Sequence, residues 1–175
     1  MTDLSGLMTQ IPMADIARKL GVDESTAHSA VEQALPTLVH GLSANAANPA
    51  GAASLEKALP KHHKGQGTLR FDEVDEEDGE KIVNNVFGKK KPEVVKEVAK
   101  KSPAKVDESL VSKLLPILAP IVMSWLASKF LGQKASGSGG GIGDVLGGLL
   151  GGGGSKGSSG GLGDVLGGLL GGGKR

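Results

Sequence analysis

Two kinds of residue in this 175-residue chain could do chemistry on their own: a run of carboxylates, FDEVDEEDGE at 71–80, and four histidines. Seven carboxylates in ten residues suggest a calcium loop. Placing Gly79 at the sixth position, where an EF-hand needs its glycine, puts Val74 at position one and Asn85 at position twelve, neither of which matches the ligand pattern. The run therefore reads as a solvated acidic turn that caps the helix after it. His62 and His63 are adjacent in a polar stretch. His28 and His40 lie twelve residues apart, about 120° around a helix, so no metal-ligand spacing emerges. Two G-x-S-x-G matches surround Ser155 and Ser159, but both fall in a glycine tract with no strand before them to build a nucleophile elbow. Gly88-Lys89 is followed by Lys90 where a phosphate loop needs Ser or Thr. No residue is singled out as catalytic, cofactor-binding or metal-binding, and the expectation is a protein that is not an enzyme.

The elements around these residues are helical. Net charge is +1, there is no cysteine, and the only aromatics are Trp125 and three phenylalanines, so a core must be built from aliphatic side chains. Ile16, Ala17 and Leu20 share a helical face that Gly21 closes. Asp23 then sits where an N-cap accepts free N–H groups, and Ala27, Val31, Ala34, Leu35, Leu38 and Leu42 continue at helical spacing. Proline deletes a helix hydrogen bond, which predicts a kink or break before Pro36 and again before Pro116 and Pro120. Asn48-Pro49 starts a further helix, Glu76–Phe87 forms another stopped by Gly88, and Pro92 opens the next. The apolar run Leu114–Ala127 covers about 21 Å as a helix, short of the roughly 30 Å of a bilayer core, and reads as a buried helix, not a transmembrane segment.

The chain also aligns with itself. At an offset of 84, Val22-Asp23-Glu24-Ser25 matches Val106-Asp107-Glu108-Ser109, and Pro36 matches Pro120. This reads as an internal duplication. The expected architecture is all-α, a duplicated helix-turn-helix-like bundle with a disordered Gly/Leu-rich tail: residues 1–60 a first helical half, 61–75 a linker, 76–133 a second half, and 134–175 a flexible tail.

GVDESTAHSAVEQALPTLVHGLSANAANPAGAASLEKAL at 21–59 and LLPILAPIVMSWL at 114–126 resemble the YidB-like bacterial family, a domain of unknown function numbered 937. The ALP-x-L-x-x-GL, GAASL and LAP-x-VM phrases carry the likeness, and family members more often show a second glycine where His40 stands. The resemblance implies an all-helical cytoplasmic bacterial protein with no assigned catalytic set.

The corner at 16–35 has the topology of a DNA-reading helix-turn-helix. Its second helix offers Asp23, Glu24 and Glu32 and no Lys or Arg, so nucleic-acid binding is the disfavoured alternative. Seven lysines between Lys89 and Lys105 form a modest basic stretch that could complement the acidic turn within one molecule or across two.

The tail is the more informative feature, because it prints GIGDVLGGLLGGG from Gly141 and GLGDVLGGLLGGG from Gly161. Ile142, Val145, Leu146, Leu149 and Leu150, and again Leu162, Val165, Leu166, Leu169 and Leu170, fall on one helical stripe. Each interior glycine costs about 1 kcal/mol against alanine and nine residues are a marginal helix, so the segment folds only against a partner surface. Gly143, Gly147 and Gly151 recur every four residues and would allow close backbone approach. The ten stripe residues are the candidate interaction site. The expected partner is another copy or another protein, and the expected role is cytoplasmic self-association or scaffolding.

Overall fold

The computed structural model describes residues 4–62, 70–103, 105–135, 137 and 140–150. Among the described residues there are eight α-helices and no strand: α1 (Leu4–Gln10), α2 (Met13–Leu20), α3 (Glu24–Ala46), α4 (Pro49–His62), α5 (Glu76–Phe87), α6 (Lys91–Lys101), α7 (Glu108–Ala135) and α8 (Ile142–Leu150). Short 3-10 turns at Phe71–Glu73 and Gly88–Lys90 join α5 to its neighbours.

α7 is the hub. Leu114, Leu115, Leu118, Ala119, Met123, Leu126 and Ala127 are all fully buried, which leaves the helix apolar around its whole circumference, and α2, α3, α4, α5, α6 and α8 pack on it. At 28 residues it extends well beyond the apolar run that marks it in the sequence. By length and composition it could cross a bilayer, but 89% of its most apolar stretch is buried among the other helices. One continuous core joins side chains from Leu7 to Leu146, so the two halves share a single interior.

Local signals place the ends of these helices. Gly21 adopts the left-handed conformation at φ 70°, and Val22 N–H donates to the Ala17 carbonyl at 3.0 Å, closing α2 as a Schellman turn. The Asp23 carboxylate accepts from Thr26 N–H at 2.8 Å to start α3. In the matching stretch 84 residues later, the Asp107 carboxylate accepts from Leu110 N–H at 2.7 Å to start α7. Both copies of the Val-Asp-Glu-Ser phrase thus cap a long helix in the same way. Replacing Asp107 with alanine strands that N–H and is expected to cost about 1 kcal/mol, read as a lower urea midpoint with an unchanged slope.

The expected breaks at the prolines do not occur. α3 is one helix through Pro36, and α7 is one helix through Pro116 and Pro120. Each proline frees the carbonyl four residues earlier, and the helix survives where that oxygen finds another environment. Pro36 and Glu32, whose carbonyl it frees, both lie on the exposed face of α3. Pro120 frees the Pro116 carbonyl inside the core, and Gly79 of α5 lies directly over that oxygen. A glycine Cα–H is a weak donor at such crossings, and the missing side chain is what lets the two backbones meet.

Two further glycines serve packing in the same way. A Cβ on Gly41 would stand 2.7 Å from Val86 Cγ1 and intrude on the Phe87 ring, so this glycine seats the end of α5 on α3. A Cβ on Gly51 would overlap the Asn45 side chain and carbonyl, which brings α4 tightly against the end of α3. Lys61 and His62, placed in the linker from sequence, instead form the last residues of α4. α1, which has no counterpart in the sequence reading, inserts Leu7 into the core.

Candidate docking surface

The tail's first repeat forms α8 and lies against α3, α4 and α7 of its own body. Its helix is started from within the motif. Gly141 N–H donates to the Asp144 carboxylate at 3.1 Å, the returning half of a capping box, while Asp144 N–H donates to the Gly141 carbonyl at 3.0 Å. Ile142 and Leu146, one turn apart, are both 0% exposed, and Val145 beside them is half-buried. Leu149 and Leu150 belong to the helix, and their side chains lie outside the described residues, as do Leu162, Val165, Leu166, Leu169 and Leu170. Of the ten stripe residues, the described side chains are Ile142, Val145 and Leu146, and all three turn toward the body. The surface they meet here is the chain's own, where the sequence reading expected another copy or a partner.

The glycine pattern works differently from the expectation of close backbone approach. Among the described residues, a Cβ on Gly147 or Gly148 would meet nothing within 4 Å, and one on Gly143 would stand 4.0 Å from the Ala46 carbonyl, an ordinary contact distance. Gly147 and Gly148 thus face away from the groove and loosen the helix without tightening its seat. The energetics follow. Burying an isoleucine and a leucine contributes about 1.5–3 kcal/mol each, while Gly143, Gly147 and Gly148 cost about 1 kcal/mol each relative to alanine. The opposing effects are of similar size, so the docked helix is expected to be held only weakly. The groove itself is hard to see in the sequence, because it is made by small residues at the end of α3, such as Ala46 beside Gly143, and by the flank of α4, where Glu56 approaches Gly141.

The other candidates settle into structural roles. In the acidic run, the Asp75 carboxylate accepts from Glu77 and Asp78 N–H at 3.0 and 3.2 Å and caps α5, with Glu76, Glu77 and Asp78 in the first turn. Glu76 pairs with Lys19 of α2 and Glu80 with Lys91 of α6, tying α5 to both neighbours. Among the described residues, no three His, Asp or Glu side chains gather as they would around a metal ion. The α2–α3 corner forms as read, with Asp23, Glu24, His28 and Glu32 exposed along it. Hydroxyl donors on Ser25 and Thr26, the Thr26 N–H, and Lys105 nearby hold the Asp23 carboxyl well below the ordinary carboxylate range, so it stays anionic where a phosphate would approach.

His62 closes the end of α4 against α5, its Nε2 3.3 Å from Asp78 Oδ2. Burial pushes its pKa below the ordinary 6.5; the Asp78 carboxylate opposes that shift and Lys61 adds to it. The folded state therefore binds this proton more weakly than the unfolded chain. Stability should be level above about pH 7 and fall as pH drops from about 6.5 through the lowered folded value. Urea titrations from pH 8 to 5 check this, and His62→Gln should flatten the profile in that window.

The pattern of the bacterial proteins of unknown function termed DUF937 matches residues 2–129, which span α1 to most of α7. The chain belongs to this family. No curated protein and no solved structure matches it. The DUF937 match thus contains the α3, α4 and most of the α7 surface on which α8 rests, while both Gly/Leu repeats lie beyond it.

Proposed function

We propose that this DUF937 protein is a non-enzymatic helical module that self-associates or scaffolds in the cytoplasm, using its Gly/Leu tail segments as docking helices. One observation carries the reading: a weak, self-capped helix from the tail buries Ile142 and Leu146 completely in a groove of α3, α4 and α7. The same contact made between chains is an exchange of α8, which uses identical interactions and changes only the tether. Within one chain the short connection after α7 holds the repeat at an effective concentration of the order of millimolar, so exchange sets in where chains are crowded to comparable levels. A second copy of the stripe then provides a second point of attachment.

Light scattering coupled to size exclusion, run across a wide concentration range, tests this on the full chain and on one ending at Gln133. Mass should rise with concentration in the full chain only. A monomeric mass for both at every concentration overturns self-association. Nucleic-acid binding through the α2–α3 corner is the alternative. It would give an affinity for mixed DNA that falls steeply with salt, less steeply once Lys89, Lys90, Lys96 and Lys100 are replaced. The exposed carboxylates of the corner weigh against it.

A further inference from the structure

α4 has a second apolar flank. Opposite the side that receives α8, an open cleft of about 330 Å³ runs between α4 and α5. Ser54 and Ala58 form its α4 wall, Ile82 and Val86 its α5 wall, and the fully buried Met123 of α7 its base. At one end Asn45 Nδ2–H donates to the Asn85 carbonyl at 3.1 Å, bridging α3 to α5. Among the described residues no ionised side chain lines the cleft, and its volume is within the range of sites that hold a bound group.

We propose that this cleft is the seat of the second Gly/Leu repeat, residues 162–170, of the same chain. Three observations converge on that occupant. The first repeat already docks on α4, which is the wall shared by its groove and the cleft. The second repeat keeps the residues that make docking work: Leu162 and Leu166 stand where Ile142 and Leu146 are buried, and Asp164 where Asp144 caps. Its only charged side chain is that aspartate, so its leucine stripe meets a cleft whose described lining carries no charge and is mainly apolar. Reach is sufficient as well. The eleven residues 151–161 are glycine, serine and one lysine, a composition for which a chain of this length averages about 18 Å end to end and reaches about 36 Å when extended, against a helix about 10 Å across. The tether also favours its own chain's cleft over a neighbour's at ordinary dilution.

The inference requires that a repeat can dock, as the first does, and stands whether or not chains associate. The chain contains no cysteine, which allows a direct test in the full-length protein. Ser54→Cys at the exposed rim of the cleft is combined with Val165→Cys in the second repeat, and, as a measure of random tether encounters, with Ser158→Cys in the spacer. Under mild oxidation at micromolar protein, the Ser54→Cys/Val165→Cys pair should form an intramolecular disulfide about tenfold faster than the Ser54→Cys/Ser158→Cys pair. Adding Leu162→Asp and Leu166→Asp should return it to the control rate. Cross-linking no faster than the control overturns the proposal. So does cross-linking that yields only covalent dimers, which would leave the self-association reading intact and assign the cleft to a second copy.

Discussion

Gly79→Ala is expected to destabilise the protein by about 2 kcal/mol, although it places the best helix former in the interior of a helix. Propensity alone would favour alanine by about 1 kcal/mol. Against that, the new Cβ falls on the Pro116 carbonyl, which is main chain within the central helix and cannot rotate away. Overpacking of this kind typically costs about 1–3 kcal/mol, and the upper end applies because the obstacle is backbone. The change also separates α5 from α7 and leaves the Pro116 oxygen, already deprived of its helix donor by Pro120, without the close approach of α5. Chemical denaturation measures the outcome, and a variant as stable as the parent would refute the account of this crossing.

Leu146→Asp should release α8 from the body. The exchange forfeits about 1.5–3 kcal/mol of leucine burial and sets a carboxylate in an apolar groove, while the docked helix has only a narrow margin to lose. Hydrogen exchange across 142–150 is expected to rise to the rate of an unstructured peptide, with helices α1 to α7 still protected. Gly147→Ala is the counterpart. Its methyl group meets nothing within 4 Å, so the substitution should strengthen the helix by about 1 kcal/mol and slow exchange in the same segment. Protection retained in Leu146→Asp, or unchanged in Gly147→Ala, contradicts the docking described above.

Much of this architecture is legible residue by residue. Asp23, Gly21, Asn48-Pro49 and Gly88 mark helix ends because capping is local chemistry, decided by a few neighbours in the chain. The periodic stripe at Ile142 and Leu146 is likewise readable as a docking face. What escapes the sequence is non-local. Pro36, Pro116 and Pro120 read as helix breakers, and what lets the helices continue is tertiary: α3 and α7 are held by their buried apolar faces, and Gly79 lies over the carbonyl that Pro120 frees. The glycines of the ALP-x-L-x-x-GL and GAASL phrases carry no packing signal in the sequence, yet Gly41 and Gly51 are points where neighbouring helices approach tightly. The groove for α8 is the hardest to anticipate, since small residues such as Ala46 reveal a partner surface only once α3, α4 and α7 stand side by side.

The position of the hub helix along the chain has a consequence for biosynthesis. α7 begins at Glu108, so every helix that packs on it within the family-matched body is translated first. At about 5–20 residues per second, the ribosome spends about 5–20 s making that earlier portion. Throughout this interval the earlier helices can pack only on one another, as α2 and α4 do on α3, and the apolar sides they turn to α7 stay uncovered until Glu108–Ala135 has been made.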